Sequence, residues 1–173
     1  LLVVLEKKLH DWMRVYHNNI DCYLAPSEFV KERLVEGGYD EKKIRVLPHF
    51  VQPAIYKGAP CSYKGHPCIL YFGRLSKEKG LDILLEMMHY MKSEVTLRIA
   101  GTGPEELSLK SKVKSLQLEN VTFLGHLGND ALEKEIDRAL FTVAPSVWPE
   151  PFGYVVLESF ARGKPIVASR IGA

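Results

Sequence analysis

Two glutamates, Glu150 and Glu158, flank a Pro-Phe-Gly turn in the stretch PEPFGYVVLESFARGKP, residues 149–165. A proline ring clashes with the residue before it, so Pro149 and Pro151 push Trp148 and Glu150 out of the α region. Glu150 is therefore expected in an extended or turn conformation, at the mouth of a helix that Pro151 or Phe152 opens. Val155, Val156, Ser159 and Phe160 recur at helical spacing, and Gly163 is placed to stop the helix before Lys164 and Pro165. Glu158 then falls about two turns in. Free N–H groups near Gly153 point toward the mouth, and a helix start of this kind attracts anions. A carboxylate beside an anion repels it, so each glutamate is expected to bind something else. Sugar hydroxyls fit, because an ionised carboxylate only accepts hydrogen bonds.

Other chemistry weighs less. A glycosidase pair holds its carboxyl groups ~5–9.5 Å apart, whereas eight residues of continuous helix rise about 12 Å. Glu158 could also be a plain surface residue of its helix, where glutamate is common. FGRLSKEKG, residues 72–80, follows an apolar run. Its Gly73 lets a ligand approach the backbone, and Arg74 and Lys79 suit a diphosphate, although a solvated charged loop has the same composition. AGTGP, residues 100–104, lacks the third glycine of a dinucleotide fingerprint, so Gly101 and Gly103 also fit a tight turn. His49, His66 and His126 have no metal-ligand spacing to another ligating residue, and no metal site is expected. Nucleophile-elbow and Walker-type loops are absent from the sequence.

These residues need a scaffold. From residue 68 onward strand-like runs alternate with helical ones: CILYFG, a helix from about 79 to 92, EVTLRIAG, a helix over 105–116, NVTFLG, a helix over 129–139, LFTVAPS, the 149–165 stretch and PIVAS. Such alternation predicts an α/β, Rossmann-like parallel sheet with helices on both faces. Ligands of such sheets bind at the carboxyl ends of the strands, which selects the loops at 73–79, 101–104, 124–128 and 145–153. Residues 1–48 alternate too, with a strand in DCYLAPS, a Ser27 N-cap, a helix closed by Gly37 and Gly38, and a strand in KIRVLPH. Residues 50–67 carry three prolines and little periodicity and read as a connector. The N-terminal stripe Leu2, Leu5, Leu9, Trp12 and Met13 predicts a packed helix.

Composition is that of a globular protein of 173 residues, 46% hydrophobic and 25% charged. A net charge of +2 does not argue for nucleic acid or an anionic membrane. Cys22, Cys61 and Cys68 are too scattered for a disulfide framework, and reduced thiols in a cytoplasmic setting are expected, with a Cys61–Cys68 bridge as the lesser alternative. No apolar run is long enough to span a bilayer. Both ends read as cuts through a longer chain.

FGRLSKEKG, IAGTGPE, VTFLGHL and the 149–169 stretch, in this order, resemble the nucleotide-sugar domain of retaining GT-B glycosyltransferases, on the branch of mannosyl-, glucosyl- and sucrose-synthase-like enzymes. The two glutamates with seven residues between them are the most specific part. The resemblance covers roughly residues 20–173 and departs at His49-Phe50-Val51-Gln52, where the family often has Asn-Gly-Val-Asp. It implies the C-terminal half of a GT-B fold: residues 1–48 as the trailing end of an acceptor domain, 49–67 as linker, and 68–173 as a nucleotide-sugar domain truncated at its end.

The resemblance also implies roles. Arg74 and Lys79, with Gly73 beside them, match the pair that holds the donor diphosphate. Gly101 and Gly103 match the second loop of the donor site, and Leu124 and Gly125 the backbone that reads the nucleobase. Glu158 matches the carboxylate that takes the ribose hydroxyls. Glu150 matches the acid next to the transferred sugar, with Phe152, Gly153 and Tyr154 supplying backbone donors. The implied reaction moves a sugar from a UDP- or GDP-sugar to a carbohydrate or lipid-linked acceptor hydroxyl, with no cofactor, no metal and no nucleic acid. Any peripheral membrane contact would come through the absent part of the acceptor domain. A non-catalytic nucleotide-sugar module, an inactive excised domain and a GT-B epimerase stand as alternatives.

Overall fold

The computed structural model describes residues 2–51, 67–91 and 95–172. Cys61 and most of the expected connector lie outside that range. Five strands form one parallel sheet: β3 (Cys68–Phe72), β4 (Thr96–Ala100), β5 (Val121–Gly125), β6 (Phe141–Ala144) and β7 (Ile166–Ala168). Their order is β5-β4-β3-β6-β7 and all pairings are parallel. The chain thus builds outward from β3 through β4 to β5, then returns to β3's other edge and builds outward again. The order reverses between β3 and β6, and that is where an open α/β sheet leaves its crevice.

The apolar run at 68–72 forms the central strand because it is buried on both faces. Side chains alternate along a strand. Ile69 and Tyr71 enter one core with Leu81, Leu84, Leu85 and Met88 of α4 (Leu81–Tyr90) and Leu109 of α5 (Glu106–Ser115). Leu70 and Phe72 enter a second core, on the other face, with Ile136 of α6 (Asn129–Arg138) and Val155 of α7 (Tyr154–Ala161). Each fully buried leucine contributes about 1.5–3 kcal/mol, so the two cores fix β3 and, with it, the start of the loop at 73–79.

The preceding segment forms a small unit, with β1 (Tyr23–Ala25) parallel to β2 (Ile44–Val46) and α3 (Glu28–Glu36) between them in sequence. Ser27 caps α3 as expected, its Oγ accepting from the Val30 N–H at 3.2 Å. The N-terminal helix departs from expectation twice. It breaks into α1 (Leu2–Trp12) and α2 (Val15–Asn19) at Arg14, whose φ is +52°. Its apolar stripe is not packed, since Leu2 and Trp12 are 84% and 80% exposed. Apolar spacing reports the helix, but not whether the chain supplies a surface for it. Among the described residues no helix is long and apolar enough to cross a membrane.

Candidate nucleotide-sugar site

The loops at the carboxyl ends of the strands are stitched together through their backbones. Gly73 N–H donates to Ala100 O, Leu75 N–H to Thr102 O, Gly101 N–H to Gly125 O, and Val147 N–H to Glu78 O, at 2.7–3.0 Å. The glycines permit these approaches. Gly101 sits at φ +135°, and a Cβ there would overlap the Gly73 carbonyl oxygen. A Cβ at Gly103 would overlap the backbone of Leu75, and one at Gly80 the carbonyl of Pro145. Gly101 and Gly103 are therefore the glycines of loop-to-loop packing, and Gly101 also faces the groove described next.

Over the carboxyl ends of β3 and β4 lies a groove of about 460 Å³. Arg74 enters it from the loop after β3, Gly101 and Thr102 from the loop after β4, and His126 from the loop after β5. The opposite side is α7, whose Tyr154, Val155 and Glu158 face the groove. Helix α7 starts later than the prolines suggest, at Tyr154, because Gly153 adopts φ +84° as its N-cap. No side chain caps that end; the Val156 N–H turns back to Gly153 O at 3.0 Å, and the helix start, whose Tyr154 and Val155 line the groove, carries a partial positive charge. The helix closes as expected: Gly163 N–H bonds to Phe160 O and Lys164 N–H to Ser159 O, both at 2.9 Å. Glu158 is consequently the fifth residue of the helix, nearer the groove's mouth than two turns would place it.

Glu150 lies beside the groove rather than among its lining residues. Its Oε1 accepts from Lys79 Nζ at 2.6 Å and from the buried Ser146 Oγ at 2.6 Å. Its backbone forms a parallel bridge with Gly172. Burial acts to raise the Glu150 carboxyl, but the hydrogen bonds from Lys79 and Ser146 and the charge of Lys79 outweigh it, and it titrates below its ordinary value. Glu158 has no hydrogen-bond or ion-pair partner among the described residues, and burial alone pushes its carboxyl up. The worry that a carboxylate at the mouth repels an anion thus has a physical answer at Glu150, where Lys79 already balances the charge.

The remaining expected residues divide. Gly73, Arg74, Gly101, Tyr154 and Glu158 share the groove, and Lys79 joins Glu150. Leu124 packs against the second core, and Gly125 offers its carbonyl to Gly101. Phe152 turns to His49, with ring centroids 5.0 Å apart. Four contributors escaped sequence reading. Thr102 and Ser146 are ordinary loop residues that carry no spacing signal. His126 has no metal-ligand spacing to mark it, and its signal is its place after Gly125 in the loop at 124–128, at a strand's carboxyl end. Tyr71, buried in the first core, donates its hydroxyl to Arg74 O at 2.8 Å and so ties the cationic loop to the strand before it.

A family model described as glycosyl transferases group 1 matches residues 56–173. A second, described as glycosyltransferase family 4, matches residues 2–54. The chain is 38% identical over 107 residues to an uncharacterized glycosyltransferase of Methanocaldococcus jannaschii, covering 60% of this chain and 27% of that protein. It is 30% identical over 170 residues to phosphatidyl-myo-inositol mannosyltransferase of Mycobacterium leprae, covering 93% of this chain and 44% of that one. Among solved structures, Anabaena HepE in complex with UDP-glucose superposes with a TM-score of 0.82 at 24% identity, over 92% of this chain and 47% of that chain. The chain therefore spans less than half the length of each of these relatives. With two family models covering nearly all of its length and the same Rossmann-like sheet as GT-B enzymes, the chain belongs to the group 1 glycosyltransferases.

Proposed function

We propose that this chain carries the nucleotide-sugar half of an enzyme that transfers a sugar from a nucleoside-diphosphate sugar to an acceptor hydroxyl with retention of configuration. One observation carries the reading: Arg74, Glu158 and the uncapped start of α7 line a single groove over the carboxyl ends of β3 and β4. Cation, helix start and carboxylate are the groups that a ribose diphosphate needs. Arg74 and the first-turn N–H groups of α7 hold the phosphates. Glu158 accepts from the ribose hydroxyls, which relieves a carboxylate that burial leaves without a donor. The backbone at Leu124–Gly125 reads the base. The relative solved with UDP-glucose supports a nucleotide-sugar donor, and the mannosyltransferase relative supports a hexose.

Lys79 and Glu150 act together. An arriving diphosphate competes for Lys79, and Glu150, released from that ion pair, accepts from a hydroxyl of the transferred sugar. As the glycosidic bond breaks, negative charge grows on the leaving diphosphate. Arg74, Lys79 and the helix start are already placed to meet it, and interactions that strengthen in the transition state are the ones that lower the barrier. This chemistry needs no metal ion. The acceptor, a carbohydrate or lipid-linked hydroxyl, is held by the half of the enzyme beyond this chain.

A thermal-shift panel of nucleoside diphosphates tests the reading. A ligand at a hundredfold excess over its dissociation constant stabilises the folded state by ~2.7 kcal/mol. UDP or GDP is expected to raise the melting temperature, and a panel with no shift overturns the donor site. Labelled donor and acceptor added to the complete protein then separate the alternatives. Transfer supports the transferase, binding without turnover a module, and nucleotide release without acceptor an epimerase.

A further inference from the structure

The turn between Glu150 and α7 receives little support from its own sheet. Pro151 is exposed, the helix start has no side-chain cap, and a Cβ at Gly153 would meet only Val156 within 4 Å. Its contacts come instead from the preceding segment. The His49 ring stacks on Tyr154 with centroids 4.8 Å apart and planes at 20°, and meets Phe152 edge-on at 5.0 Å. Phe152 and Tyr154 in turn meet at 6.0 Å, which closes a three-ring cluster. From another element of that segment, Ser27 Oγ donates to Pro151 O at 2.6 Å while it caps α3.

We infer that His49 and Ser27 are positioning residues for the groove, clamping the Pro151–Tyr154 turn that carries Glu150 at one end and begins α7 at the other. The consequence for ligand binding rests on the donor-site reading above. A shift of this turn moves the Glu150 carboxylate and the first-turn N–H groups of α7 together, so both parts of the diphosphate and sugar site depend on residues outside the five-stranded sheet. Aromatic rings suit such a clamp because their contact is geometrically specific and they lose little side-chain entropy on ordering. His49 thus supplies a flat ring where Tyr154 presents one.

Three variants of the whole chain test the clamp. His49→Ala removes the ring, His49→Phe keeps it, and Ser27→Asp keeps the α3 cap but cannot donate to a carbonyl once ionised. Amide hydrogen exchange at residues 152–156, measured without ligand, is expected to speed up in His49→Ala and Ser27→Asp and to return to normal in His49→Phe. UDP or GDP affinity, measured by calorimetry, is expected to fall by roughly three- to tenfold in His49→Ala, the factor that loss of one aromatic pair corresponds to, and to recover in His49→Phe. Unchanged exchange in both disruptive variants overturns the clamp. Faster exchange with undiminished nucleotide affinity in His49→Ala overturns its role in the site. A wild-type chain that binds neither nucleotide overturns the donor reading instead, while the exchange data still decide the clamp.

Discussion

Glu150 sits where two loops meet and takes hydrogen bonds from Lys79 and Ser146, whereas Glu158 stands on the groove face of α7 with no partner among the described residues. Both are partly buried, yet their carboxyls are pushed in opposite directions, down for Glu150 and up for Glu158. The difference teaches that desolvation alone does not set the charge state of a site. A cation and a hydroxyl within hydrogen-bond distance reverse its effect at Glu150, and their absence lets it stand at Glu158. One glutamate is held by two donors of the chain itself, while the other has none among the described residues.

Removing the cations should break that contrast most strongly. Arg74 is exposed and its side chain makes no hydrogen bond or ion pair among the described residues. Arg74→Ala in the complete enzyme is expected to cut turnover by about 10²–10³ with an unchanged melting temperature, and a near-normal rate would reject its role. Lys79→Met should also lower turnover, and in addition it should raise the Glu150 carboxyl toward the behaviour of Glu158, readable by NMR titration of the glutamate side chains.

Melting temperature against pH sharpens the contrast further. The lowered carboxyl of Glu150 stabilises the fold above the ordinary carboxylate range, and that contribution is lost as pH falls through its own lowered pKa. Glu150→Gln should therefore be less stable than wild type at neutral pH, with the gap closing in acid. Glu158 is the reverse: its raised carboxyl favours the fold when protonated, and that advantage is lost as pH rises through the raised pKa. Glu158→Gln should be the more stable protein at neutral pH, again converging in acid, while binding nucleotide less well. Equal slopes for the two variants would remove the distinction. The smallest effect is expected from Ser146→Ala, which deletes one of the two donors to Glu150 and should cost about 1–2 kcal/mol of stability in a denaturant titration.

Much of the scaffold was legible because it rests on local signals. A continuous apolar run marks β3, glycines mark strand ends, and the alternation of strand-like and helical periods predicts a parallel sheet. Arg74, Lys79, Glu150 and Glu158 were legible as residue types suited to anions and hydroxyls. What escaped depends on distances that spacing does not encode. Lys79 and Glu150 are 71 positions apart, and only the β3–β6 adjacency brings them to 2.6 Å. The start of α7 was misplaced because Gly153, not a proline, takes the left-handed cap. The exposed stripe of α1 shows the same limit from the other side, since a sequence pattern reports a face without naming what meets it.

The stitching of the loops has a consequence for how such a chain can diversify. Because Gly73, Leu75, Gly101 and Val147 each hold a neighbouring loop by a main-chain hydrogen bond, lengthening any one of them would disturb the others. The lining of the groove can instead be altered through side chains such as those of Thr102 and His126, whose exchange leaves that main-chain seam intact.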